Sequence, residues 1–389
     1  MKPDDSLPCH LCGHALVEPV PEYAALHRVT SDCKPWAAGG WLGVCRSCGG
    51  VQKRMDEAWR TEVAQVYQNY SIYHQSGGAE QSSFVAETGQ GQARSERIVQ
   101  RLVGSGLIPE RGRLLDVGCG NGALLRACSQ QMTGWALTGT EINDKYQSIV
   151  EAIPRVERMH VGDAGGVPGI FDLLSLVHVL EHIQSPVPFL ESLRLKMAAA
   201  GRLLVEVPHY AANPFDLLIV DHSTHFSAPV LRDVARRAGF QPEILTTEWV
   251  AKELTLIAGH RHRSSYGAGE VEAGFNEVWA QLKQSVAWLT RVAEEARKLS
   301  SQGALGVFGT SISGIWLFGE LGGKVDFFVD EDPARIGRSC FGRKVLAPQH
   351  IPSGSRVWMA LPPGVAERVK ARIAPQCLNV EFHAPPSLC

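Results

Sequence analysis

The sequence lacks any apolar run of the roughly 20 residues that a membrane-spanning helix requires. It also lacks a secretory signal, because the opening stretch MKPDDSLPCHLC is polar and acidic instead of basic and then apolar. These two absences predict a cytoplasmic protein with no membrane partner.

An excess of charge of either sign is also missing. The formal net charge of the 389-residue chain is -2, and the sequence contains no long run of basic residues. A protein that binds nucleic acid usually carries a basic patch, so a nucleic-acid partner is not expected. Apolar residues make up 44% of the chain and charged residues 20%, which is typical of a globular protein. The length predicts two or three domains.

Ten cysteines are present although nothing indicates export, so they need an explanation other than disulfides. Two CxxC pairs, each followed by glycine, lie near the N-terminus: Cys9 with Cys12, and Cys45 with Cys48. Two such pairs predict a closed, four-cysteine structural Zn²⁺ site that holds together a small segment. Unpaired buried cysteines are the alternative. Four nearby residues are possible substitutes for one ligand: Cys33, His10, His14 and His27.

The pattern of apolar and helix-forming stretches along the chain predicts an α/β protein with three domains. A zinc-binding domain covers 1–66, and a Rossmann-like, seven-stranded domain covers 67–260, in which 67–93 is a tyrosine-rich joint. A smaller α/β Rossmann-like domain covers 261–389. Within the joint, the spacing of Tyr67, Tyr70 and Tyr73 predicts one helical face. A packed connecting helix is the simpler interpretation, and a weak substrate contact by Tyr70 and Tyr73 is the other.

The segment LLDVGCGNG, Leu114–Gly122, ends a predicted strand with glycines at alternate positions. Glycines allow the backbone to approach a ligand more closely than a Cβ permits. A dinucleotide site usually has GxGxxG, and Asp116 would repel a pyrophosphate but suit an ammonium group.

This segment resembles the first motif of the class I S-adenosylmethionine-dependent methyltransferases. The resemblance implies that Glu141 binds the ribose hydroxyls, that Asp163 and Ala164 meet the adenine, and that His178 in FDLLSLVHVLEHI faces the methyl donor. It implies a cofactor site made by these residues together with the glycine-rich turn: Asp116, Gly118, Cys119, Gly120 and Gly122. A Rossmann-like domain that binds another ligand is the alternative.

The whole chain is similar to the zinc-containing deoxysugar C-methyltransferases, which methylate nucleotide-linked 4-keto sugars. That family has a segment reading roughly Tyr-His-Glu-His-Leu-Ser-Tyr-Phe-Ser, which carries the catalytic base, and IVDHSTHFS matches it at 219–227. The match implies that His222 is the base and that Asp221 replaces the family's glutamate. Ile219 and His225 stand where the family has tyrosines, which is a departure close to the reacting sugar.

The chemistry accounts for these residue types. A carbon nucleophile next to a ketone must lose a proton, and an imidazole with a pKa near 6.5 can take it if the developing oxyanion is stabilised. A neighbouring carboxylate would fix the imidazole tautomer, and His178 could donate to the oxyanion. His182 is interpreted as structural. A metal held by Asp221, His222 and His225, or an ordinary polar loop, are the competing interpretations of the segment.

In the C-terminal part, Gly306, Gly309 and Gly314 form no GxGxxG motif, although Asp330 and the serines of the turn, Ser311 and Ser313, could belong to a nucleotide site. A lid without a second cofactor is preferred. The expected function is methylation of a small-molecule acceptor, best a nucleotide-linked keto sugar methylated at carbon. An O- or N-methyltransferase, or a non-catalytic zinc-bearing assembly module, are the alternatives. The chain is compatible with a monomer.

Overall fold

The computed structural model describes residues 8–14, 17–68, 70–71, 80, 82–84, 91–261 and 274–388. None of the described helices combines the length and the apolar character needed to cross a membrane. The described residues form three α/β units joined along the chain. One seven-stranded sheet lies at the centre, with a four-stranded and a six-stranded sheet beside it.

The N-terminal unit consists of short strands and one helix. Its elements are β1 (Val17–Pro19), a 3₁₀ turn (Pro21–Ala25), β2 (Arg28–Val29), β3 (Pro35–Trp36), β4 (Gly43–Cys45), β5 (Val51–Gln52) and α1 (Glu57–Gln68). Helix α1 crosses the boundary expected at residue 66. It also ends before Tyr70, so the prediction that Tyr67 and Tyr70 share one helical face is wrong. Their ring centroids are nevertheless 5.5 Å apart. Tyr73 lies outside the described residues.

The central unit begins with a hairpin and helix and continues through eight strands, of which seven form the central sheet. The hairpin and helix are β6 (Ser82–Phe84), β7 (Gly91–Ala93) and α2 (Arg94–Gly104). The first half is β8 (Arg111–Val117), α3 (Ala123–Gln131), β9 (Gly134–Glu141), α4 (Gln147–Glu151), β10 (Val156–Val161) and a 3₁₀ turn (Ala164–Gly166). The second half is β11 (Phe171–Val177), a 3₁₀ turn (Leu180–His182), α5 (Pro186–Arg194), β12 (Met197–Pro208), a 3₁₀ turn (Pro214–Leu218), β13 (Thr224–His225), α6 (Ala228–Arg237), β14 (Phe240–Thr246) and β15 (Glu253–His260).

The central sheet has the strand order β10-β9-β8-β11-β12-β15-β14. The first five are parallel, and β15 is antiparallel to both of its neighbours. Long stretches of β8, β11 and β12 are buried, as expected of strands covered by helices on both faces. The chain winds in opposite directions from β8 and from β11, so the crevice between the ends of these two strands is where such sheets bind ligands. The predicted seven-stranded, Rossmann-like sheet is therefore confirmed.

The C-terminal unit starts with the long helix α7 (Phe275–Ser300). It continues through β16 (Leu305–Phe308), α8 (Ile312–Glu320), β17 (Phe327–Val329), β18 (Ser339–Cys340), β19 (Arg343–Leu346), a 3₁₀ turn (Pro348–His350), β20 (Arg356–Met359), α9 (Pro363–Ile373), a 3₁₀ turn (Ala374–Gln376) and β21 (Glu381–His383). The strand order is β18-β19-β17-β16-β20-β21.

The N-terminal and C-terminal units share one hydrophobic core with the 3₁₀ turn that follows β12. Phe215 of that turn packs against Trp288 of α7 and Trp316 of α8, with ring centroids 5.2 and 5.6 Å apart. Tyr23 is fully buried in the same core and donates from its hydroxyl to the Leu217 carbonyl. The segment after β12 is therefore held from both sides.

Candidate active site

A cavity of about 570 Å³ opens at the carboxyl ends of β8 and β11. Its lining includes residues of the glycine-rich turn, of the end of β9 and of the 3₁₀ turns that follow β11 and β12. The C-terminal unit contributes Ser311, Ile312, Ser313, Leu361 and Pro362 to the wall. Because Ser31 and Tyr67 of the N-terminal unit also line it, the cavity lies where all three units meet, and a position between units is common for a ligand site.

The glycine-rich turn has the backbone that its composition predicts. Gly118, Gly120 and Gly122 have φ values of 68°, 54° and 79°, in the left-handed region that glycine adopts readily. A Cβ at Gly122 would lie 2.5 Å from Ile153, so this glycine is also required for packing. Gly118 and Gly120 line the cavity together with Cys119, whereas Gly122 begins α3 outside the lining.

Two carboxylates flank this turn. Asp116 is buried and accepts a hydrogen bond from Ser175 Oγ at 2.7 Å, and burial raises its pKa to about 7. Glu141 accepts from Gly120 N at 3.1 Å and from Ile142 N at 2.7 Å, so its carboxylate holds the end of β9 against the turn. Both acids line the cavity, where they are predicted to bind the cofactor.

Asp163 and Ala164, the residues predicted to contact the adenine, lie outside the lining of the cavity. Asp163 Oδ1 accepts from Gly165 N at 2.6 Å and caps the 3₁₀ turn, while Ala164 is buried in the core. Neither residue is among those that line the cavity. Their assignment to the cofactor stays a prediction.

His178 stands at the wall of the cavity with a backbone φ of 56°. Its Nδ1 lies 3.3 Å from Glu181, its Nε2 lies 3.2 Å from Glu253, and the Arg94 guanidinium is 2.6 Å from Nε2. Burial and Arg94 oppose protonation, but the carboxylates outweigh them and raise the pKa of His178 to about 9. Below that pH the side chain is cationic, and its charge can stabilise a developing oxyanion.

His222 lines the cavity and is the residue that the resemblance makes the base. Its Nδ1 lies 2.8 Å from Asp216 Oδ1, so Nε2 is left to accept a proton. Burial disfavours the charged imidazole, but the Asp216 carboxylate outweighs burial and the pKa of His222 is raised. A buried carboxylate on Nδ1 fixes the tautomer and stabilises the imidazolium.

Asp216 is the functional residue that the sequence analysis missed. It is buried in the 3₁₀ turn Pro214–Leu218, and its second oxygen lies 2.7 Å from His225 Nδ1. Burial would raise the pKa of Asp216, but the two imidazoles hold it well below its usual range. Burial and Lys53 oppose protonation of His225, whose pKa falls to about 4 despite Asp216. Asp216 therefore pairs with a neutral His225 and a readily protonated His222.

Asp221 and His225 do not line the cavity. Asp221 accepts hydrogen bonds from Ser31 N at 2.9 Å and from Ser31 Oγ at 2.5 Å. The side chain of His225 is buried. The structure thus assigns the carboxylate that binds His222 to Asp216 and not to Asp221. His182, interpreted as structural, does line the cavity, and its ring meets the ring of His222 edge-on at 4.6 Å.

The aromatic and charged residues of the wall complete the site. Tyr67 and Tyr70 line the cavity, and the Tyr67 hydroxyl is 3.2 Å from His182 Nδ1. No motif in the sequence marks several other lining residues: Ser31, Arg94, Asn213, Lys252 and Glu253.

The carboxylate of Asp330, considered above for a second nucleotide site, already has partners within the C-terminal unit. Asp330 Oδ2 accepts from Thr310 N and Thr310 Oγ1, and Arg335 Nη1 lies 3.4 Å away. Ser313 Oγ donates to the Ala360 carbonyl. These contacts favour a lid over a second cofactor site.

The four cysteines of the two CxxC pairs come together in the N-terminal unit. Their sulfur atoms lie within 4.8 Å of one another, with Cys9 Sγ and Cys48 Sγ 3.7 Å apart and Cys12 Sγ and Cys45 Sγ 3.6 Å apart. Four thiolates around a tetrahedral Zn²⁺ at about 2.3 Å would be about 3.8 Å apart. The cluster therefore fits the predicted metal without rearrangement.

Comparisons with known proteins agree with this geometry. Residues 88–244 match the family model described as a methyltransferase domain. The mitochondrial ubiquinone biosynthesis O-methyltransferase of Schizosaccharomyces pombe is 31% identical over 102 residues, which cover 24% of this chain and 36% of that enzyme. The chain thus spans about a third of the length of this curated relative.

Solved structures with partial similarity include a TehB-like SAM-dependent methyltransferase from Corynebacterium glutamicum, at 19% identity and a TM-score of 0.35. It covers 53% of this chain and 100% of its own. An S-adenosylmethionine-dependent methyltransferase from Clostridium acetobutylicum has 9% identity and a TM-score of 0.36, covering 53% of this chain and 98% of its own. The assignment rests on the family match, the strand order and the glycine-rich turn. Residues 88–244 match a methyltransferase domain and have the class I S-adenosylmethionine-dependent methyltransferase fold.

Proposed function

We propose that the protein transfers a methyl group from S-adenosylmethionine to a carbon atom of a nucleotide-linked keto sugar, with His222 as the general base. The observation that carries the proposal is that His222, with Nδ1 bound to Asp216, faces the same cavity as the glycine-rich turn and Glu141. A base and a cofactor motif in one cavity are what proton removal followed by methyl transfer requires.

The cofactor end of the cavity supports this assignment. Asp116 would pair with the ammonium group and Glu141 with the ribose hydroxyls. When bound, S-adenosylmethionine supplies an electrophilic methyl group on a sulfonium. The chain's own residues orient it through the glycine-rich turn, where the backbone of Gly118 and Gly120 can approach closely.

At the acceptor end, His222 Nε2 would take the proton from the carbon next to the ketone. The electron pair of the broken C–H bond would move into the enolate, whose negative charge the cationic His178 would stabilise. The enolate carbon would then bond to the methyl group while the methyl–sulfur bond breaks, and the sulfur would keep that electron pair and leave as the thioether. Ser311 and Ser313 of the C-terminal unit would lie beside the nucleotide part of the acceptor.

The second candidate is O-methylation of a sugar or natural product. The partial relative in Schizosaccharomyces pombe is a ubiquinone biosynthesis O-methyltransferase, and His222 could equally deprotonate a hydroxyl group. The departures at Ile219 and His225 from the sugar C-methyltransferase pattern also support this candidate.

The test is mass spectrometry of products formed from S-adenosylmethionine and a panel of nucleotide-linked 4-keto sugars, with the corresponding 4-hydroxy sugars as matched acceptors. Carbon methylation predicts a product only from the keto sugars, with the added mass located on the ring carbon by fragmentation. Products from the hydroxy sugars alone would establish O-methylation. Cofactor binding without any product would favour the non-catalytic module.

We also propose that Cys9, Cys12, Cys45 and Cys48 hold one structural Zn²⁺. The close approach of their sulfur atoms supports it, and one ion would join the two CxxC turns of a unit whose described strands have only two or three residues. Elemental analysis should find about one zinc per chain, and Cys45→Ser should lose it and lower the melting temperature. Wild-type protein purified without zinc, yet equally stable, would contradict this proposal.

A further inference from the structure

The segment that carries His222 has little structure of its own. Between the 3₁₀ turn Pro214–Leu218 and helix α6, its only regular element is the two-residue strand β13. A strand this short is not stable without partners. The position of His222 must therefore be fixed by whatever binds the residues around it.

The N-terminal unit supplies those partners through its sheet. Strand β13 is the fourth strand of the sheet β1-β4-β5-β13, with Thr224 opposite Gln52 and His225 opposite Val51. Next to this pair, Lys53 N donates to the Ser223 carbonyl at 3.0 Å. The catalytic segment is thus added as an edge strand to the unit that contains the four cysteines.

Side chains of the same unit hold the residues on the other side of His222. Ser31 donates from its backbone and its hydroxyl to the Asp221 carboxylate. Trp59 Nε1 donates to the Val220 carbonyl at 2.9 Å, and Val220 N donates to the Val29 carbonyl at 2.9 Å.

One further contact comes from the cysteine cluster itself. His10 lies between Cys9 and Cys12, and its Nε2 is 2.6 Å from Thr224 Oγ1. The cysteine knuckle is therefore one hydrogen bond away from a residue two positions after His222.

We infer that the four-cysteine unit acts as a clamp on the catalytic segment, with Ser31, Trp59 and His10 as positioning residues for His222. None of the three touches the imidazole, so they act through the backbone and the carboxylate that flank it. The role in catalysis rests on the proposed function of His222, whereas the clamp itself can be tested without an acceptor.

The variants are Trp59→Phe and Ser31→Ala, each of which removes one hydrogen-bond donor and leaves the cysteines in place. Trp36→Phe is the matched control. It also removes an indole N–H in the N-terminal unit, but this one donates to Glu62 at 3.2 Å and not to the catalytic segment. Zinc content and the dissociation constant for S-adenosylmethionine are measured for all of them.

The direct readout is NMR of protein labelled with ¹⁵N-histidine, with the His222 signals assigned by their loss in His222→Asn. The clamp predicts that the ¹⁵N shifts and the titration of His222 change in Trp59→Phe and in Ser31→Ala but not in Trp36→Phe. It also predicts that kcat falls about tenfold in Ser31→Ala, the scale of one hydrogen bond to a charged group, and about fivefold in Trp59→Phe, where the lost bond joins two neutral groups. Cofactor affinity should stay within about twofold of wild type in both.

Unchanged His222 signals in both clamp variants would overturn the inference. Equal changes in Trp36→Phe would also overturn it, because they would show general loosening of the unit. If the signals change as predicted but the wild-type protein methylates none of the keto sugars, the clamp stands and the proposed function fails.

Discussion

Replacement of Asp216 by asparagine removes the carboxylate that the structure places on His222. Asp216 binds one imidazole with each oxygen, at 2.8 Å to His222 and 2.7 Å to His225. An asparagine has one carbonyl oxygen, so it can accept from only one of the two N–H groups. We therefore expect Asp216→Asn to leave His222 with a less well fixed tautomer and no negative charge behind it.

The size of the effect follows from the kind of hydrogen bond that is lost. A hydrogen bond to a charged group contributes about 1.5 to 3 kcal/mol. Because each 1.36 kcal/mol in the barrier is tenfold in rate, kcat should fall about 10- to 100-fold. Cofactor affinity should change little, because Asp216 makes no contact with the glycine-rich turn or with Glu141.

The pH profile provides a second and independent signature. His222 acts as a base only when it is neutral, so activity rises as the pH passes upward through its pKa. Asp216 raises that pKa, which places the acidic limb of the profile above that of an ordinary histidine. Without the carboxylate the limb should move to lower pH, even though the maximal rate is smaller.

The assay is kcat against pH from 5 to 9 for the wild type, for Asp216→Asn and for the control Asp172→Asn. Asp172 accepts one backbone hydrogen bond, from Arg113 N at 2.8 Å, at the opposite end of β11 from the cavity. An unchanged kcat and an unmoved acidic limb in Asp216→Asn would refute the reasoning. So would an equal loss in Asp172→Asn, since that would reflect general damage to the sheet.

Three more predictions concern the cofactor and the base. Because burial raises the pKa of Asp116 to about 7 and an ammonium group needs its ionised form, S-adenosylmethionine should bind up to about tenfold more weakly for each pH unit below 7. Calorimetry of the wild type and Asp116→Asn checks this, and an identical pH dependence in both would contradict it. Glu141→Ala should weaken cofactor binding about tenfold or more, since it removes the ribose acceptor and frees Gly120 N, whereas normal affinity would remove Glu141 from the site. His222→Ala should lower turnover about a hundredfold with little change in cofactor affinity, and wild-type turnover would exclude it as the base.

The sequence predicts the parts of the site that can be recognised from short local motifs. These parts are the glycine-rich turn, the acid at the end of β9 and the two CxxC pairs, whose residue types favour a particular local geometry. Alternation of apolar runs with helical patterns likewise predicts the central sheet. These features depend on neighbours in the chain, which a sequence displays directly.

The features that the sequence does not display are contacts that form only when the folded chain brings separate residues together. Asp216 and His222 are six residues apart, and only the 3₁₀ turn between Pro214 and Leu218 brings their side chains together. The closer Asp221 was therefore the natural choice of partner, yet it points toward Ser31. The pairing of β5 with β13 joins parts of the chain far apart in sequence, and no periodicity in either strand indicates it.

Proton removal by His222 from a carbon next to a ketone is the step on which the proposed function depends. Its most direct test is mass spectrometry of nucleotide-linked 4-keto sugars incubated with the protein in D₂O, with S-adenosylmethionine left out. We expect deuterium to enter at the carbon next to the ketone with the wild type, and about a hundredfold more slowly with His222→Ala. No exchange above the protein-free rate, or equal exchange in His222→Ala, would contradict it.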